Sequence, residues 1–168
     1  MKKIFALLLT VCLLSPVFAK DGEKDRDDDA RNLVNFHALA AVVPPFTGPT
    51  NAIRGIGGAG APWKIAKGHA ELNASGKLEV HVRGLVLVSN GTNPIANFAA
   101  ILSCQSFDAA KAPTVVNLVA GTSPATAAGD ADIEGTVSLP SPCFAPIVFV
   151  AIPATATAPA RWLAVGGF

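Results

Sequence analysis

Strict alternation of polar and apolar side chains constrains this chain more than any other feature. Between residues 68 and 84, GHAELNASGKLEVHVRG, the apolar residues Ala70, Leu72, Leu78, Val80 and Val82 alternate with His69, Glu71, Glu79, His81 and Arg83. Successive side chains of a strand point to opposite faces, so a period of two builds a sheet with one dry face and one wet face. At the centre, Asn73-Ala74-Ser75-Gly76-Lys77 has the form of a type I turn closed by a glycine bulge. Folded about that turn, Leu72 faces Leu78, Glu71 faces Glu79, His69 faces His81 and Lys67 faces Arg83. The same alternation returns later, where Ala131, Ile133, Gly135, Val137 and Leu139 interleave with Asp130, Asp132, Glu134, Thr136 and Ser138.

Other segments read as buried strands. Ala99 to Cys104, Val115 to Val119, Ile147 to Ile152 and Trp162 to Val165 are short apolar runs bounded by Pro, Gly or Asn. Their length and β-branched content favour strands over helices. Asn32 to Val43 is apolar enough for one more strand. After it, Pro44-Pro45, Gly48-Pro49 and the run Gly55 to Pro62 exclude a helix and predict a long ordered loop, packed down by Phe46 and Trp63. The expectation is an all-β chain, an antiparallel β-sandwich of about seven or eight strands, with a partly closed barrel as the second choice.

The ends carry separate signals. Lys2 and Lys3 precede an apolar run from Ile4 to Val17, and Val17-Phe18-Ala19 offers a signal-peptidase site, so residues 1–19 read as a signal peptide cleaved after Ala19. Residues 20–31, KDGEKDRDDDAR, are too polar to bury and read as a flexible charged leader. Asp25, Asp27 and Asp29 alternate there, but no glycine or glutamate follows at EF-hand offsets. Residues 32–168 are then a single domain of a secreted or periplasmic protein. Without Lys2 and Lys3 the basic residues number 11 against 12 acidic ones, so no basic surplus points to nucleic acid. No later apolar run is long enough to span a membrane as a helix. Two cysteines remain after the signal, Cys104 and Cys143, and in an oxidising compartment an even pair forms a disulfide.

Chemistry-bearing candidates are few. His69 opposite His81, with Glu71 or Glu79 adjoining, has the reach to chelate copper or zinc, because directly opposed Cβ atoms stand about 5 Å apart. The plainer account is the solvated face of an edge hairpin. Asp130, Asp132 and Glu134 form a second acidic row, with calcium or a sugar hydroxyl as its possible ligands and simple solvation as its plainer role. His37 lies in an apolar stretch and is expected in the core. No G-x-S-x-G elbow occurs, Ser141 is held between prolines, and GIGGAG (55–60) lacks the Lys-Ser/Thr of a phosphate loop. Asn73-Ala74-Ser75 and Asn90-Gly91-Thr92 match the glycosylation sequon.

Four blocks, VVPPFTGPTNAIRGIGGAGAPW (42–63), GTNPIANFAAILSC (91–104), PATAAGDADIEGTVSLPSPCFAPIVFV (124–150) and RWLAVGGF (161–168), resemble a group of small exported bacterial proteins. That resemblance implies a shared fold and no particular activity. The hairpin pattern G-x-A-x-L…G-x-L-x-V-x-V-x-G-L is also similar to CHRD-type and copper–zinc superoxide dismutase β-sandwiches. The His-x-His ligands of such dismutases are missing after it, where Gly84 leads into LVLVSNGTNP. The function expected from the sequence is therefore a binding or structural module with no catalytic residue, no cofactor and an unknown partner. The alternative is a metal-binding or redox protein using His69, His81, Glu71 and Glu79.

Overall fold

Two β-sheets, with their apolar faces turned toward a shared core, make up the protein in the computed structural model, which describes residues 32–167. The stretch expected to be a signal peptide, the expected charged leader with Asp25, Asp27 and Asp29, and Phe168 lie outside the described residues. Strands are numbered in chain order. The first sheet has the order β1 (Asn32–Phe36), β5 (Lys67–Asn73), β6 (Lys77–Arg83), β10 (Ala131–Thr136). The second has the order β2 (Ala40–Ala41), β12 (Arg161–Gly166), β11 (Phe144–Ile152), β8 (Asn97–Phe107), β9 (Pro113–Pro124), with β3 (Gly57–Gly58) parallel to β12. A short pair, β4 (Trp63–Lys64) and β7 (Val86–Leu87), lies apart. The sheets do not close into a barrel, and the eight strands of five or more residues match the sandwich the sequence predicts.

The hairpin register is the one its turn dictates. Leu72 pairs with Leu78, Glu71 with Glu79, His69 with His81 and Lys67 with Arg83. Asn73 Oδ1 accepts from the Ser75 and Lys77 amides at 3.0 Å each, and Gly76 sits at φ +85°, where a side chain would be strained. Asn90 Oδ1 likewise accepts from the Thr92 amide at 3.0 Å, so both sequon asparagines serve as turn caps. On the dry face, Phe36, Ala70, Val80 and Ile133 form one cross-strand row, and Val34, Leu72, Leu78 and Gly135 the next. Leu72, Leu78, Val80, Val82 and Ile133 are fully buried. Each such side chain contributes about 1.5–3 kcal/mol relative to its exposed state.

Across the core, β8, β11 and β12 are buried on both faces over most of their length. The long loop supplies the second cover. Ala59 donates to the Trp162 carbonyl, Trp63 is buried, and Phe46, itself exposed, packs 6.4 Å from the Trp162 ring. Arg54, in the left-handed region at φ +48°, lays its guanidinium on the carbonyls of Ser103 and Ala145, while Asn117 donates to the Arg54 carbonyl. The loss of water around Arg54 lowers its pKa. Cys104 of β8 and Cys143, in the loop that enters β11, are bonded at 2.07 Å, beside the register shift between the two strands. The strand carrying Cys104 continues three residues beyond it, to Phe107.

One expected strand differs. Residues 32–43 do not form a continuous strand: β1 belongs to the first sheet and β2 to the second, and the chain crosses the sandwich end at His37–Leu39. Leu39 accounts for the crossing. Its side chain is buried in the space that glycines 68 and 166 leave open, where a Cβ on either would clash with it.

Candidate functional site

The wet face of the first sheet gathers most of the chemistry. Because β10 lies beside β6, the hairpin and the later acidic strand share one surface. Register places His69, His81 and Asp132 in one row across β5, β6 and β10. The adjacent row is Asn35, Glu71, Glu79 and Glu134. On the other side of the histidines, Lys67 faces Arg83. Five of the six carboxylates between residues 32 and 168 stand on this face or at its end, with all three histidines of the chain.

His37 completes the histidine row. It is exposed, not in the core, because the chain leaves β1 there and turns toward the second sheet. Its ring centroid lies 5.5 Å from that of His69, which stacks at 6.3 Å and 18° on His81. No local pattern signals this, since His37 pairs through the end of β1, more than thirty residues away from its neighbour.

Four of these five carboxylates have a definite partner. Glu71 Oε1 meets His69 Nε2 at 2.8 Å and accepts from Asn35 Nδ2 at 3.0 Å. Asp132 Oδ1 meets His81 Nδ1 at 2.8 Å, and its Oδ2 accepts from Arg83 Nη2 at 3.0 Å. Glu79 is bonded to Lys77, and Asp130 accepts from the Gly84 amide at 2.8 Å. A carboxylate only accepts, so the nitrogens facing it, Nε2 of His69 and Nδ1 of His81, carry the protons. The Arg83 hydrogen bond, and after it that of His81, holds the Asp132 carboxyl below its ordinary value, and Asp132 in turn raises Arg83. The like-charge oppositions of Glu71 to Glu79 and Lys67 to Arg83 are thus relieved by neighbours in three cases. Among the described residues Lys67 makes no ion pair.

The structure brings His69, His81 and Glu71 together and aims Glu79 toward Lys77. Among the described residues no group of three or more His, Cys, Asp or Glu is arranged to hold a metal ion. An open cleft of about 460 Å³ runs along the histidine row. His37, Lys67, His69, His81 and Arg83 form its polar lining, against an apolar wall that includes Leu39 and Ile65. A second depression, where Phe107 meets Phe144 edge-on at 6.3 Å, has no titratable group in its lining among the described residues. Among the described residues no helix is long and apolar enough to cross a membrane. The chain matches no known family, no curated protein and no solved structure.

Proposed function

We propose that the chain is an exported, single-domain β-sandwich that acts by binding, without catalysis, through the wet face of its four-stranded sheet. The carrying observation is the histidine row: His37, His69 and His81, from three separate strands or their ends, stand side by side over one cleft. Simple solvation of a sheet needs charged residues and no such concentration of imidazoles. Export is supported by the Lys2-Lys3 and Ile4 to Val17 pattern, by the likeness to small exported bacterial proteins, and by a disulfide that suits an oxidising compartment.

The test is a small-molecule screen read by nuclear magnetic resonance on untagged protein, with the three imidazole Cε1–H signals as reporters. Binders that move these signals are expected. Binders that move only signals elsewhere, or none at all, refute the assignment of this face.

A second reading has one observation in its favour, the direct opposition of His69 to His81. It makes this face a copper or zinc site, with Glu71 or Glu79 as a further ligand. Near-stoichiometric metal in the dialysed protein, lost in His69→Ala/His81→Ala, would establish it. A metal-free chain whose melting is unmoved by added copper or zinc ends it.

A further inference from the structure

We propose that Asn90 is a self-modifying residue, converted to aspartate and isoaspartate when the Gly91 amide nitrogen attacks its side-chain amide. The modification is separate from the binding face and needs no ligand.

Such a conversion needs three things: a main-chain nitrogen that can reach the side-chain carbonyl carbon, donors where charge develops on the carbonyl oxygen, and water around the departing amine. Asn90 is the only asparagine of the chain followed by glycine; the others precede leucine, phenylalanine, alanine or proline. A Cβ on the following residue crowds the approach, and proline has no N–H to lose. At Gly91, with φ +69°, a Cβ would meet nothing within 4 Å, so the space beside the nitrogen is open. The oxygen is already held. Asn90 Oδ1 accepts from the Thr92 amide and from Thr92 Oγ1, each at 3.0 Å. These donors stand where negative charge collects as Cγ becomes tetrahedral. Among the described residues nothing accepts from Asn90 Nδ2, and the side chain is exposed, so ammonia leaves directly into solvent.

Asn73 is the internal comparison. Its Oδ1 accepts from the Ser75 amide, Ser75 Oγ and the Lys77 amide, at 3.0, 2.7 and 3.0 Å, so its carbonyl is at least as well supplied with donors. Ala74 follows it, however, and its turn joins two strands of 7 residues each. Asn90 lies just beyond β7, a strand of 2 residues whose partner β4 is equally short. The Gly91 N–H donates to the Leu87 carbonyl at 3.0 Å, and this bond must open before the nitrogen can turn on Cγ. In so short a pair the opening is local and leaves the two large sheets folded.

The step balances with water and hydroxide alone. Gly91 N gives its proton to hydroxide, and its electron pair forms a bond to Asn90 Cγ. Nδ2 departs with a proton as ammonia, leaving a cyclic imide. Water then opens the ring at either carbonyl. Cleavage of the new Cγ–N bond gives aspartate; cleavage of the original peptide bond gives isoaspartate, with one more methylene in the main chain. Both products add one negative charge. Aspartate keeps an oxygen for Thr92 to donate to, whereas isoaspartate lengthens the loop that Leu87 N and Thr92 O close at 3.0 Å. The loop thus carries a slow charge change that accumulates with the age of the molecule.

Untagged protein is incubated in neutral and mildly alkaline buffer, and peptide mass mapping follows every asparagine over weeks. Asn90 is expected to convert faster than Asn73 by about tenfold or more, a barrier difference of about 1.4 kcal/mol, and to speed up in proportion to hydroxide. Thr92→Val keeps the side-chain shape and removes the Oγ1 donor. It is expected to slow conversion about threefold, less than in a buried site where one donor counts for far more. A merely loosened turn would instead convert faster. Gly91→Ala strains the same turn, yet is expected to slow conversion about tenfold because its Cβ crowds the nitrogen. An Asn90 that stays intact, or falls short of the margin over Asn73, overturns the proposal. So does either variant converting as fast as the wild type or faster. The comparison with Asn73 needs no variant, so it decides the matter even where one fails to fold.

Discussion

Gly135→Ala probes the seam where the two sheets meet. The edge strands β9 and β10 approach there without sharing a hydrogen-bond ladder, and each offers a glycine at the crossing. A Cβ on Gly135 would stand 1.9 Å from the Ala120 carbonyl oxygen and 2.5 Å from its carbon, where real contacts stop near 3.0 Å. From the other side, a Cβ on Gly121 would lie 2.4 Å from the Glu134 oxygen. Every obstacle is backbone, so no rotamer change can accommodate the methyl group, and the strands must part by about an ångström. Overpacking of this kind costs about 1–3 kcal/mol, and the upper end applies where only main chain can move. The smaller conformational freedom of alanine in the unfolded chain offsets about 0.4–1 kcal/mol. The net loss is about 2 kcal/mol, a fall of about 4–8 °C in melting temperature for a domain of this size. Urea unfolding of Gly135→Ala beside Gly91→Ala measures it. Gly91 has φ +69° and nothing within 4 Å of the added Cβ, so its variant reports backbone strain alone, about 1–2 kcal/mol. The His81 imidazole signal is expected to move in Gly135→Ala and stay fixed in Gly91→Ala, because Asp132 rides on the displaced strand. A Gly135→Ala protein within about 0.5 kcal/mol of wild type would refute the backbone crossing, since ordinary surface substitutions fall in that range.

Removing the disulfide with Cys104→Ala/Cys143→Ala frees a closure between positions 39 residues apart and costs about 4 kcal/mol in the chain-entropy model, read from the urea midpoint. Thiol labelling of the denatured, non-reduced wild type is expected to find no free thiol at either position. Asp132→Asn alters the acid limb of stability. The folded carboxyl titrates below the ordinary aspartate value of 3.8, so its contribution is present above that value and lost as pH falls through the folded one. At low salt the variant is expected to lose less stability on acidification than the wild type, with the difference shrinking at high salt as the exposed pair is screened. Identical acid limbs would refute a role for the Arg83–Asp132 pair.

The corrections share a cause. The stretch from Asn32 to Val43 has the composition of a strand, and composition cannot register that Leu39 is needed between the sheets, which splits the stretch at His37–Leu39. The apolar neighbours of His37 predict a core position, and the crossing turns it outward. Glu79 stands opposite Glu71 as the register predicts, and its carboxylate is bonded to Lys77, two residues away on the same face. In each case a local pattern was legible and a competing contact decided the outcome.

Alternation by itself determined which side chains are dry and which are wet, because a pleated strand has no other way to place successive residues. The Asn73–Lys77 turn determined the hairpin register, because a turn of fixed length leaves one pairing. The two isolated cysteines determined their own bond. What alternation cannot encode is which strand lies next to which, since strand pairing across long loops depends on the packing of the whole core. The tertiary structure alone set β10 against β6, which gave Asp132 to His81, and folded the end of β1 beside β5, which gave His37 to His69. A pair of histidines on a hairpin thereby became a row of three over a cleft.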